Sequence, residues 1–144
     1  MREKKNIKLD IVNLLDEIQN GKYSNIQMNY YFSQNEYSKK EREFITNIIN
    51  ITLKNLIFVD YMLGQTVRNI QKRKIKQLLR ISVAQILFMD SDNAGVVYEA
   101  GEISKIINKH QTGFVNATLQ AIIKNKEEII NAIPEDKKEG IVNS

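Results

Sequence analysis

Residues 71–90, QKRKIKQLLRISVAQILFMD, decide the architecture. Ile75, Leu78, Leu79, Ser82, Val83 and Ile86 recur at three- and four-residue spacing, the pattern of a helix with one buried stripe. At about 100° per residue, Arg73, Lys76 and Arg80 fall on a neighbouring arc turned away from that stripe. Lys72 and Lys74 add charge at the helix start, and no acid lies between Arg68 and Asp90. The segment reads as core spine and basic ridge at once. A charge run alone is usually a solvated face, so a role for the ridge needs support from elsewhere in the chain.

Four further helices are predicted on the N-terminal side. In residues 1–20, Ile7, Ile11, Leu14, Leu15 and Ile18 make an apolar stripe, and Gly21 suits the left-handed helix end. Its start holds Arg2, Lys4, Lys5 and Lys8 against Glu3 alone; positive charge there opposes the macrodipole and points to a role other than helix stability. Residues 22–35 form a short helix with Ser24 as N-cap and Ile26, Met28, Tyr31 and Phe32 as apolar bulk. Tyr30 and Tyr31 offer rings for base stacking, although aromatics at this spacing more often belong to a core. Ser38-Lys39-Lys40-Glu41 fits a capping box, and Phe44, Ile45, Ile48, Ile49 and Thr52 continue that helix towards Leu53. Leu56, Val59, Leu63 and Val67 align on a fourth helix ending near Asn69, with Gly64 marking a weak point or a close crossing.

On the C-terminal side, Asp90-Ser91-Asp92-Asn93 is a turn rich in capping residues. A helix over residues 94–109 is expected to bury Val97, Ile103, Ile106 and Ile107, with Gly95 and Gly101 leaving room for a neighbouring backbone. Thr112-Gly113 opens the next, with Val115, Leu119, Ile122 and Ile123 inward, and Ile129, Ile130 and Ile133 extend it to Pro134. The domain thus spans residues 1–133, and residues 134–144, PEDKKEGIVNS, read as a polar tail or linker.

Composition narrows the function classes. At 144 residues the chain is one domain, and a single proline with six glycines argues against a β-rich fold. The net charge of +4 permits an anionic partner without requiring one. Cysteine is absent, which removes disulfides, thiolate metal sites and thiol nucleophiles. The charged start MREKKNIKLDIVNLL is no secretory signal, and no run of 18 apolar residues occurs, so a cytoplasmic location and no membrane contact are expected. His110, the lone histidine, sits beside Lys109 at a helix end and is expected on the surface. The acid pairs Asp16/Glu17, Glu127/Glu128 and Glu135/Asp136 are sequence neighbours, which diverge on a helix. With no glycine-rich phosphate loop either, no catalytic residue, no metal site and no cofactor site is expected in this chain.

Five stretches resemble a known family in the same order along the chain. QLLRISVAQILFMD at 77–90 resembles the "LLRLGxYQLLxLD" segment of the NusB-like RNA-binding fold, YEAGEISK at 98–105 its "NEAVELAK", and GFVNATLQ at 113–120 its "xFVNAVLR". GKYSN at 21–25 resembles "GAYSN", and KEREFITNIINITLK at 40–54 resembles "xDRAxxTELVYGTLR". The wording is most similar to the N-terminal domain of the ribosomal RNA small-subunit methyltransferase B family, which makes 5-methylcytosine. Ile51, Lys54, Asp92, Gly101 and Gln120 depart from that pattern, Gly101 standing in place of a valine.

The resemblance implies an all-α bundle of about seven helices in two small subbundles, the central helix in the second. It implies a non-catalytic RNA-binding domain that positions ribosomal RNA for a cytosine-C5 methyltransferase. The catalytic domain, with its cysteines and S-adenosylmethionine, would lie elsewhere and is a possible partner. Two alternatives stand beside it: a transcription antitermination factor that binds single-stranded RNA with a ribosomal protein, and a helical protein-docking module without RNA contact. The RNA-binding set comprises Arg2, Lys4, Lys5, Arg42, Lys72, Arg73, Lys76 and Arg80, of which Arg42 and Arg80 match family arginines. Asn116 matches a family asparagine and is expected to be buried and hydrogen-bonded. Reversing Arg73 and Lys76 to glutamate is expected to leave the fold intact.

Overall fold

The computed structural model describes residues 6–70 and 72–142. Among these, eight α-helices and one 3₁₀ turn occur and no strand. The helices are α1 (Ile7–Gln19), α2 (Ser24–Gln34), α3 (Lys39–Lys54), α4 (Leu56–Thr66), α5 (Arg73–Phe88), α6 (Asn93–Asn108), α7 (Thr112–Asn131) and α8 (Glu135–Val142). Their ends follow local chemistry. The Asn6 side chain accepts from the Leu9 N–H at 3.0 Å at the mouth of α1, and Gly21 takes φ +100° beyond its end. At α3 both halves of the capping box form: Ser38 Oγ accepts from the Glu41 N–H at 3.1 Å, and Glu41 accepts from the Ser38 N–H at 2.7 Å.

The helix α5 is the axis of the bundle. It packs against α1 and α3 on one side and α4, α6 and α7 on the other, so the two groups of helices share one continuous core. The six stripe residues are all buried, as their spacing predicts. Burial goes further than a stripe, however: every residue from 77 to 86 is enclosed. Sheathing a helix on all sides is costly unless its polar side chains find partners. Arg80 and Gln85 find theirs on other helices, Gln77 bonds Arg80 within α5, and Ser82 Oγ has none among the described residues. Gln85 accepts from Lys8 of α1, whose ammonium, 3% exposed, also pairs with Glu99 of α6 at 2.9 Å. Burial pushes the Lys8 pKa down, and the Glu99 carboxylate opposes that shift.

Several expectations are corrected. Ser24 lies inside α2 rather than capping it, and Tyr23 precedes the helix without a side-chain cap bond. Ile26 and Tyr30 are exposed, because α2 packs chiefly against α1 and turns its other face outward. Ile106 is exposed because it falls off the stripe formed by Val96, Ala100 and Ile103. Gly64 and Gly101 do not mark close crossings, since a Cβ at either would meet nothing within 4 Å; at Gly95 it would meet only the side chain of Asp92. The polar tail forms α8, which lies on α4 with Val142 against the core. Pro134 precedes it and Glu135 and Asp136 occupy its first turn, the charge placement a helix start favours.

Two phenols tie α2 and the link that follows it to α1. Tyr37 donates to Asp10 at 2.6 Å, and Tyr31 donates to Glu17 at 3.2 Å. Burial first, then the neighbouring carboxylate, raises both pKa values well above the ordinary value near 10. The unfolded chain releases these protons near pH 10 while the folded chain keeps them. The stabilisation is therefore complete below pH 10 and is lost as the pH climbs towards the folded-state values. An absorbance titration of phenolate should find two of the six tyrosines ionising late, and Tyr37→Phe should flatten the loss of stability above pH 10. Six tyrosines titrating together near pH 10 would contradict this.

Candidate nucleic-acid interface

The anticipated ridge on α5 divides into three environments. Arg80, 7% exposed, points into the bundle and holds Asp60 of α4 through two bonds, Nε to Oδ1 at 2.8 Å and Nη2 to Oδ2 at 2.7 Å. Its Nη1 donates to Gln77 at 3.1 Å and Gln19 at 3.4 Å. Such a guanidinium braces helices and presents no charge to a ligand, so Arg80 leaves the binding set. Arg73 is exposed, yet its Nε lies 2.8 Å from Oδ1 of the buried Asp16 on α1. That oxygen makes no aligned hydrogen bond, so the contact is an ion pair rather than a bonded fork. Reversing Arg73 would set a glutamate against a buried aspartate, and the expectation that this leaves the fold intact is withdrawn. The sequence shows no acid beside the ridge because both acids arrive from other helices.

Lys72 and Lys76 remain available. Two clefts flank the link between α4 and α5 and share Asn69 and Ile70 as a wall. One, about 160 Å³, is lined by Arg68, Lys76 and Asp60; the other, about 140 Å³, by Lys72, Gln111 and Phe114. Among the described residues no carboxylate forms a salt bridge with Arg68, Lys72 or Lys76, and Asp60 is engaged by Arg80. Three cations and a half-buried aromatic ring thus converge on one corner of the bundle. Arg68 and Phe114 were not among the anticipated residues. Their signal was faint: Arg68 lies in the short link that delivers α5, and Phe114 belongs to a stretch that reads as core.

Arg42 is exposed but lines a separate groove on α3 with Lys39, Glu43 and Asn47, so the structure does not bring it to the corner. Arg2, Lys4 and Lys5 lie outside the described residues. His110 is exposed in the 3₁₀ turn Lys109–Gln111. Asn116, expected inside, is exposed on α7, and its side chain has no hydrogen-bond partner among the described residues. No metal-competent group of acids and histidine occurs among the described residues, and none of their helices is long and apolar enough to cross a membrane.

These features define an all-helical bundle with a buried central helix and a basic corner. The chain belongs to the NusB family, whose model matches residues 5–124. Over 108 residues it is 36% identical to a probable ribosomal RNA small subunit methyltransferase B of Bacillus subtilis, a match covering 72% of this chain and 24% of that protein. It is also 24% identical over 132 residues to the transcription antitermination protein NusB of Campylobacter jejuni, covering 88% of this chain and all of that one. The chain therefore spans about a quarter of the first relative and the whole of the second.

Proposed function

We propose that this chain is a non-catalytic RNA-binding domain that holds ribosomal RNA for a cytosine-C5 methyltransferase. The observation that carries RNA binding is the corner of Arg68, Lys72 and Lys76, three cations without a salt-bridge partner among the described residues and set around Phe114. Cations there neutralise phosphates and release counterions, and the ring offers a stacking face to an unpaired base. Such contacts fix position with little reading of sequence. The higher identity to the methyltransferase relative favours the accessory role. In that role S-adenosylmethionine belongs to the catalytic partner, which binds this domain or continues from it.

The second reading, a free-standing antitermination factor, draws on the end-to-end match to a NusB protein. The two part at the gene: codons after Ser144 encoding a domain with cysteines and a glycine-rich cofactor loop support the first, and a stop codon there supports the second.

RNA binding itself is tested by neutralising Arg68, Lys72 and Lys76 together to glutamine. For a single strand, each lost phosphate contact should flatten the dependence of log affinity on log salt by about 0.7, so by about 2 for the triple variant. Identical slopes for the two proteins, with folding verified by circular dichroism, would remove the corner and leave a protein-docking module as the better reading.

A further inference from the structure

A second groove lies between α6 and α7, adjoining the basic corner: its Thr112 and Gly113 fall between Gln111 and Phe114 of the corner. We propose that this groove receives one unpaired adenine of the bound RNA, an inference that rests on the RNA reading above. The groove encloses about 300 Å³, the lower end of the range for small-ligand sites. Gly101 and Gly113 form its floor, and a Cβ at either position would meet nothing within 4 Å, so open space stands above the backbone where a flat ring can lie. Tyr98, 72% exposed, forms one wall and offers a stacking face. Asn116 lines the same groove with its amide unpartnered among the described residues. An asparagine amide presents a donor and an acceptor side by side, the complement of the N6–H and N7 edge of adenine.

Charge at the rim is compatible with that occupant. Lys105 lines the groove and pairs with Glu102 at 3.1 Å, both side chains being about half exposed. An exposed pair of this kind is weak, so Lys105 is free to exchange it for the phosphate of a nucleotide. A purely apolar occupant would leave the Asn116 amide facing a dry surface without a bond, an unfavourable outcome. The glycine backbone of the floor and the side chains of Tyr98, Asn116 and Lys105 all belong to two adjoining helices, α6 and α7.

The test uses fluorescence anisotropy with two labelled single-stranded octaribonucleotides, one all uridine and one with a single central adenine. Wild type should bind the adenine strand roughly tenfold more tightly, within the discrimination of one good bidentate contact. Gly101→Val fills the groove from its floor, and Asn116→Leu removes the reading amide from an exposed position that does not support the core. Each should abolish the adenine preference while leaving affinity for the uridine strand and its salt slope unchanged. Should Gly101→Val fail to fold, Asn116→Leu alone decides. Equal wild-type affinity for the two strands would overturn the groove site while the RNA reading stands. Absence of binding to either strand would overturn both. A change in monomer–dimer equilibrium on Gly101→Val, with RNA binding unaltered, would overturn the adenine site and assign the groove to a second copy of the chain.

Discussion

Leu79→Ala is expected to lower the unfolding free energy by about 2–5 kcal/mol, the range for removing a buried leucine side chain and leaving a cavity. Leu79 is completely buried on α5, the helix that contacts five others, and the sheath around it has little freedom to collapse into the void. Lys74→Ala on the exposed side of the same helix should stay within about 0.5 kcal/mol of wild type. Urea melts of the two variants provide the comparison, with the slope of each transition confirming that the denatured states match. Equal midpoints would mean that the phase of α5 is wrongly placed.

The next largest effect belongs to Asp60→Ala. The substitution removes the fork partner of Arg80 and strands an enclosed guanidinium with only Gln77 and Gln19 as acceptors. The expected loss is about 3 kcal/mol, at the lower end for breaking a buried pair because Asp60 itself reaches solvent. Adding Arg80→Leu to this variant should recover part of the loss, since the uncompensated charge then disappears along with its partner. A double-mutant cycle reads the coupling directly. Additive losses would show that the fork is not what orients Arg80. Asp60 also lines the cleft with Arg68 and Lys76, so Asp60→Ala changes the charge of the proposed RNA surface and serves as a stability probe alone.

Arg80 also shows where local pattern stops being informative. On a helical wheel it shares an arc with Arg73 and Lys76, and nothing within α5 separates the three. Their fates are set by residues far along the chain: Asp60 draws Arg80 inward, Asp16 holds Arg73, and Lys76 has neither. Asn116 went the other way. Its match to a family asparagine implies a buried, bonded group, and its neighbour Val115 is core. One step of about 100° instead turns it onto the surface facing α6.

Helix positions, the capping box at Ser38, the stop at Gly21 and the all-α class were determined by the sequence alone, because each depends on contacts within a few residues. The order of the five family-like stretches carried the family assignment in the same local way. Only the tertiary structure decided which cations remain open, which glycines line space rather than a helix crossing, and that the tail folds back as α8 on α4. The reason is physical: spacing records which side of a helix a residue occupies, but exposure and charge compensation depend on what another helix brings to that side.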